Sequence, residues 1–309
     1  MGLCFLYAFA SFFGFGYLSY LVTVAPWPLL AKVPALVICG LLSSNGLHLL
    51  GWLAHEGIHL SIVKNKDANL LIGAFAGAVL MFPTIGLGIA HWPHHRFTNL
   101  DRDPDTALQS RQQTLWRRIL LARPAANRQY MSNAIGILLG RPRDSAYRLP
   151  FSERKLRWYS GIGFAFMALW MAGYVAVGWS NPTYAIVAFL LPYLWLIPTT
   201  GVRIYIEHAG TQAGEFVDAR SYTSAFYTVL LFGNNYHLEH HLYPSVPSYK
   251  LPRVHRKLRA EGYYDIDHVP IVSGVLAPLR FAASHYAYPE GGARSDAAPP
   301  PILCAQKNR

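Results

Sequence analysis

Charge is what this sequence lacks. Only 14% of the 309 residues are Asp, Glu, Lys or Arg, where a soluble domain carries about 25%. The shortage excludes an ordinary soluble enzyme. Together with 52% hydrophobic residues, it also excludes a disordered chain. Cysteine is scarce as well. Cys4, Cys39 and Cys304 have no metal-type spacing and imply no disulfide framework. No Lys or Arg precedes the first apolar run, so a cleaved secretory signal is not expected. No internal repeat is visible. The net charge of +11 comes without a nucleic-acid motif, so no nucleic-acid partner is expected.

The charges that exist are unevenly placed. None occurs from Met1 to Ala31, and Lys32 stands alone before Glu56. Residues 158–202 carry none. A spanning helix needs about 20 apolar residues, so the pattern predicts an all-α integral membrane protein with four transmembrane helices. They fall near 3–24, 34–55, 158–179 and 183–205, with turns at Pro26-Trp27-Pro28 and Ser180-Asn181-Pro182. Trp27, Trp158 and Trp179 are expected as interface anchors. Thirteen Lys/Arg lie between His91 and Arg157 and eleven from Arg203 onward. By the positive-inside rule, both termini and the central loop face the cytoplasm. That is the inner membrane of a bacterium, or the endoplasmic reticulum of a eukaryote. Residues 69–90 are also apolar enough to span, but Pro83, Gly86 and Gly88 interrupt the second half. The expectation is a re-entrant or interfacial segment. Residues 1–288 read as one membrane domain, and the Gly/Ala/Pro-rich stretch 289–309 as a disordered tail.

Eight of the 13 histidines fall in three short windows. They are His55-Glu-Gly-Ile-His59, His91-Trp-Pro-His94-His95 and His237-Leu-Glu-His240-His241. On a helix, spacings of three and four share a face, so each window aims its imidazoles one way. Each also lies where an apolar run meets the basic side. A lone histidine at such a boundary is ordinarily a polar residue finding water. Three aligned windows on one side are a metal site, and their number exceeds one ion's needs. Nitrogen donors suit iron, copper, zinc or nickel. Haem is a rival, but it would want one ligand per helix within the spans.

These windows resemble the three histidine boxes of the membrane fatty acid desaturase–hydroxylase superfamily. The similarity covers about residues 45–260. It includes Asn65 and Asn69 after box one, Asp101-Arg-Asp-Pro-Asp105 after box two, and Asn235-Tyr before box three. Arg203-Ile-Tyr-Ile-Glu-His208 matches the family's extra histidine. The resemblance implies a cytoplasmic helical cap carrying the boxes and two non-haem irons. Their ligands would be His55, His59, His91, His94, His95, His208, His237, His240 and His241. It also implies dioxygen as co-substrate and a double bond introduced into a lipid acyl chain. Two features set the chain apart from the acyl-CoA branch: box one is H-x3-H, and Ile204 stands where that branch has Asn. The acyl-lipid desaturase or carotenoid ketolase side fits better. A carotenoid ketolase or lipid hydroxylase is the alternative, since substrate placement rather than the ligand set decides the product. A membrane metal-binding or transport protein is the alternative of another class. No fused electron carrier is present, so a separate ferredoxin, rubredoxin or cytochrome b5 type donor is implied.

Glu56, Glu207, Glu239, Asn235 and Asp105 are candidates to hydrogen-bond the ligand imidazoles. Asp101, Asp103 and Asp105 also suit caps or pairs with Arg96 and Arg102, and Asn234 and Asn235 suit either support of the ligands or a turn. His48 is read as a satisfied core histidine. His255, His268 and His285 are read as surface residues. Segments 69–90 and 222–232 are candidates for shaping a lipid channel.

Overall fold

The computed structural model describes residues 1–142, 150–265 and 268–284. His285, Cys304 and the tail 289–309 lie outside the described residues. Among the described residues, four helical stretches are long and apolar enough to cross a membrane: Gly2–Val24, Leu29–Ile58, Glu153–Ser180 and Pro182–His208. The protein is an all-α membrane protein, with one small β element described below.

Helix α1 (Gly2–Val24) is apolar all round and ends ahead of Pro26. Helix α2 (Leu29–Ile58) starts five residues before the expected position. Pro34 does not define its start, because a proline in the second turn costs only one backbone hydrogen bond. The two helices pack through small residues. A Cβ on Gly46 would sit 2.5 Å from the Phe12 nitrogen. The Ser11 hydroxyl donates to Leu42 O, and Ser43 donates to Phe12 O. In lipid, where apolar burial between helices drives little, such close approach and polar links hold helices together.

Segment 69–90 is broken. Helices α3 (Lys66–Val79) and α4 (Thr84–Phe97) meet at 113° across Leu80–Pro83. Met81 takes a left-handed φ of 52° in the turn. Asn65 caps α3 by accepting from the Ala68 N–H. Asn69 fastens the preceding loop, accepting from the Ile62 and Val63 amides and donating to Val63 O. Gly57 lets α3 return closely along α2, since a Cβ there would lie 2.7 Å from Asn69 O.

Short helices α5 (Pro104–Gln109) and α6 (Leu115–Arg117) lead through one wide π turn, Arg118–Ala122, into α7 (Arg123–Leu138). Helix α8 (Glu153–Ser180) is the third long apolar helix. Asn181 then caps α9 (Pro182–Ala185), which continues by a second π turn, Ile186–Leu190, into α10 (Leu191–His208). Trp27, Trp158 and Trp179 are 50%, 68% and 91% exposed, as suits residues facing a lipid interface.

The remainder forms the cap. It holds α11 (Ala225–Leu230), α12 (His237–Leu242) and α13 (Leu251–Ala260). It also holds a parallel ribbon of two three-residue strands, β1 (Ser221–Thr223) and β2 (Ile271–Ser273). That ribbon is the departure from the expected all-helical cap. Buried Arg118 pins the C-terminal turn, donating to Gln112 O, Ala282 O and Ser284 O.

Candidate metal centre

The three boxes lie at helix ends. His55 is in the last turn of α2, and His59 follows its final residue. His91, His94 and His95 occupy the last two turns of α4. His237, His240 and His241 are on α12, and His208 ends α10. The bend at Leu80–Pro83 matters here. A straight helix over 69–90 would carry His91 away from His55, yet their Nε2 atoms lie 2.7 Å apart. The bend brings box two back beside box one.

All nine histidines come together, and they sort into two neighbouring groups. His55, His59, His91, His95 and His240 offer ring nitrogens within 4.8 Å of one another. His94, His208 and His241 form the second group. His237 joins it through His208, Nε2 to Nε2 at 2.9 Å. The groups touch where the His95 and His241 rings lie 4.4 Å apart.

The spacings fit metal ions. His91 Nε2 is 2.7 Å from His55 Nε2 and 2.9 Å from His95 Nε2, which is 3.1 Å from His240 Nε2. Donors at about 2.1 Å from an ion lie about 3.0 Å apart at right angles and about 3.4 Å apart in a tetrahedron. The observed edges match the right-angled arrangement, which leaves room for a further ligand. The buried Nε2 atoms of His59 and His241 have no partner from the protein among the described residues. Burial also pushes His59 down to about 3 and holds His237, His240 and His241 below the ordinary histidine range. Neutral imidazole is the form that binds metal.

A surrounding layer orients these rings. Asp103 is 1% exposed and accepts from His94 Nδ1 at 2.9 Å. It also caps α5 and accepts from the Asn99 N–H and Thr106 hydroxyl. Asp105, expected to hydrogen-bond a ligand imidazole, lies 3.9 Å from His94 Nδ1, beyond hydrogen-bond reach, and forms a further ligand-like group with His91 and His94. Burial pushes its carboxyl up to about 6. Glu207, expected to hydrogen-bond a ligand imidazole, instead receives Arg203 at 2.7 Å and stands 3.9 Å from His237 Nδ1, beyond hydrogen-bond reach. Asp218 serves the second group twice, with its carboxylate 3.2 Å from His241 Nδ1 and its backbone oxygen 3.1 Å from His208 Nδ1. Asn99, in a left-handed conformation (φ 60°), ties this loop to box two through Thr211 and Asp218 O.

Several expectations need correction. The hydrogen bonds of Glu56 run not to a box imidazole but to Trp52 Nε1, the Ser61 hydroxyl and the Ser248 N–H. Glu239 accepts from Ser221, His255 and Tyr264, each at 2.5 Å. Asn235 donates to Tyr222 O and so ties box three to β1. Asn234 lies in the expected turn, its N–H donating to Leu231 O, and is buried, with its backbone oxygen accepting from Arg203. His255, expected at the surface, is 6% exposed because Glu239 draws it inward. His268 is exposed as expected. His48 is satisfied by Arg203 at 2.6 Å. Three residues were not among the sequence candidates: Trp52, whose ring stacks on His55 at 4.1 Å, Arg203 and Asp218. Only Arg203 left a local signal, its i,i+4 spacing with Glu207.

Beside the histidines lies a cavity of about 130 Å³. One wall is His55, His91, His94, His208 and His237; the others include Leu80, Phe82, Leu87, Leu196 and Ile204. The 69–90 segment therefore contributes to it, whereas segment 222–232 does not.

Apolar helices beneath a cap of buried, converging imidazoles define an integral-membrane protein with histidine groups able to hold metal. The family model for fatty acid desaturase matches residues 25–272, and the chain belongs to that family. It is similar to a fatty acid desaturase of Bacillus subtilis (strain 168), 25% identical over 283 residues, covering 86% of this chain and 77% of that protein. The chain is a desaturase-like enzyme of lipids, and a membrane protein.

Proposed function

We propose that the protein is an O2-dependent oxidoreductase that introduces a double bond into a lipid acyl chain at a di-iron centre held by nine histidines. The observation that carries this reading is the sorting of the eight box imidazoles and His208 into adjacent groups of five and four. When bound, such an iron pair supplies reductive activation of dioxygen and removal of hydrogen from an unactivated C–H bond. The chain's own residues do the rest. His55, His59, His91, His95 and His240 hold one ion; His94, His208, His237 and His241 hold the other. Asp103 and Asp218 fix ring orientation, so that Nδ1 of His94 and His241 is committed and Nε2 is left as the donor to metal. Glu207 and Asp105 stand near His237 and His94. Leu80, Phe82 and Leu87 keep the cavity apolar on the side facing the boxes and set which carbon comes nearest.

Electrons come from a separate carrier of ferredoxin, rubredoxin or cytochrome b5 type. The histidine face and both termini lie on the cytoplasmic side, a reading supported by the Lys/Arg count outside the apolar helices. Residues 1–288 form a single membrane domain. The test is expression in a host of defined lipids, comparing wild type with His94→Ala, and mass profiling of the extract. The reading expects a product two hydrogens lighter, lost in the variant. A product that gains oxygen transfers the assignment to a hydroxylase or ketolase.

A further inference from the structure

Arg123 opens α7 and lines the cavity that His55, His91 and His94 also line. Its guanidinium carbon lies 4.9 Å from the Phe82 ring centroid. It makes no hydrogen bond or ion pair among the described residues, and its buried Nε has no partner. The ionisable groups that act on it are Tyr130, Tyr193 and Arg203; none is a carboxylate. The cavity's other arginine is the contrast. Arg203 is held by Glu207, His48 and Asn234 O. Of the two carboxylates in the lining, Glu207 is held by Arg203, whereas Asp105 stands 3.9 Å from His94 Nδ1 and makes no contact with Arg123 among the described residues.

Arg123 is half-buried, and a cation whose Nε is cut off from water without an acceptor is an unfavourable arrangement. Among the described residues no acceptor reaches it, and the cavity is where one can enter. The planar fork of five donors matches a carboxylate or phosphate, two oxygens at a time. The approach is also lipid-like. Just upstream, Trp116, Leu120 and Leu121 are 73%, 58% and 45% exposed.

We propose that Arg123 receives an anionic oxygen group of the substrate, a carboxylate or a phosphate, inside the cavity lined by the box histidines. It follows that the oxidised carbons lie only a few bonds from that group, because one cavity of about 130 Å³ holds both. This rests on the reading that the lipid reacts there.

The test is equilibrium binding to the purified full-length chain, without electron donor or turnover. The probes are hexadecanoate, palmitoyl lysophosphatidate and hexadecanol. At least one anionic probe should bind about tenfold or more tighter than the alcohol, equivalent to about 1.4 kcal/mol. Whichever anion binds tighter identifies the source, free acid or phospholipid. Arg123→Gln should bring that anion to the level of the alcohol. Arg123→Lys, which keeps the charge but not the fork, should lose part of the preference. Equal binding of all three probes to wild type would overturn the proposal whatever the variants do. So would an unchanged preference in a folded Arg123→Gln. Iron content, measured on the same samples, reports separately on the reading of the site as a di-iron centre.

Discussion

Replacing Asp103 by Asn probes the orienting layer with little change of shape. The Asp103 carboxylate is 1% exposed and has four donors around it: His94 Nδ1, the Asn99 and Asp105 amides and the Thr106 hydroxyl. Asn caps a helix about as well as Asp, so α5 keeps its start. An amide, however, presents one oxygen and one NH2. The NH2 must then face a backbone N–H, that of Asp105 on the Oδ1 side or that of Asn99 on the Oδ2 side, and in either case His94 Nδ1–H loses one of the two oxygens within its reach. Leaving such a buried donor without an acceptor costs about 1–3 kcal/mol. His94 escapes the cost by moving its proton to Nε2, the nitrogen otherwise left for metal. Losing an outer partner of this kind weakens metal binding about 10–100-fold. The loss should fall on the group of His94, His208, His237 and His241. The assay is iron retained per chain against a graded chelator, with the melting temperature of the metal-free protein measured alongside. One iron should leave about 10–100-fold more readily than in wild type, with the metal-free melting temperature changed by only a few degrees. A variant that holds all its iron as tightly as wild type would refute the role given to Asp103.

Three further outcomes follow from the packing and the buried charges. A Cβ on Gly86 would fall 1.8 Å from Tyr130 O, so Gly86→Ala should force α4 and α7 apart. The expected cost is about 3 kcal/mol or more, read as lost folded yield or melting temperature. Glu239→Ala strands three donors in the interior, from Ser221, His255 and Tyr264. At about 1–3 kcal/mol for each stranded donor, stability should fall by about 4 kcal/mol; a loss below about 1 kcal/mol would contradict the network. Asp105, raised by burial to about 6, favours folding in its protonated form. That contribution is full below the ordinary carboxylate value of about 4 and fades as pH rises through about 6. Metal-free Asp105→Asn should therefore gain on wild type between pH 5 and pH 7.5 in thermal unfolding, and a constant difference across that range would count against the assignment.

Much of this molecule is legible in the order of its residues, for local reasons. A run such as 158–202 without one charge has few fates besides lipid, and α8 and α10 lie over it. Imidazoles spaced by three and four share a helix face wherever the helix sits, so the boxes stand out before any fold is known. The turn at Pro83 marks the break between α3 and α4, whereas Gly86 and Gly88, expected to interrupt the segment as well, lie inside α4. What stays hidden is made by long-range pairing. His255 has no spacing partner, and it is buried only because Glu239, 16 residues away, meets it across the cap. Asp218 sits in an ordinary polar loop until Asn99, 119 residues earlier, draws that loop under His208 and His241. Arg123 is one of many loop cations in the sequence, and only the fold turns it into a cavity wall. The strands β1 and β2 are three residues each, too short to leave a period.

The most direct measurement is the iron bound per purified chain, in wild type and in two single variants, His240→Ala and His208→Ala. The account predicts two irons in wild type. Each variant should show selective weakening of one iron, the first at the group of five and the second at the group of four. One iron or none in active wild type, or two irons undisturbed by either substitution, would contradict it.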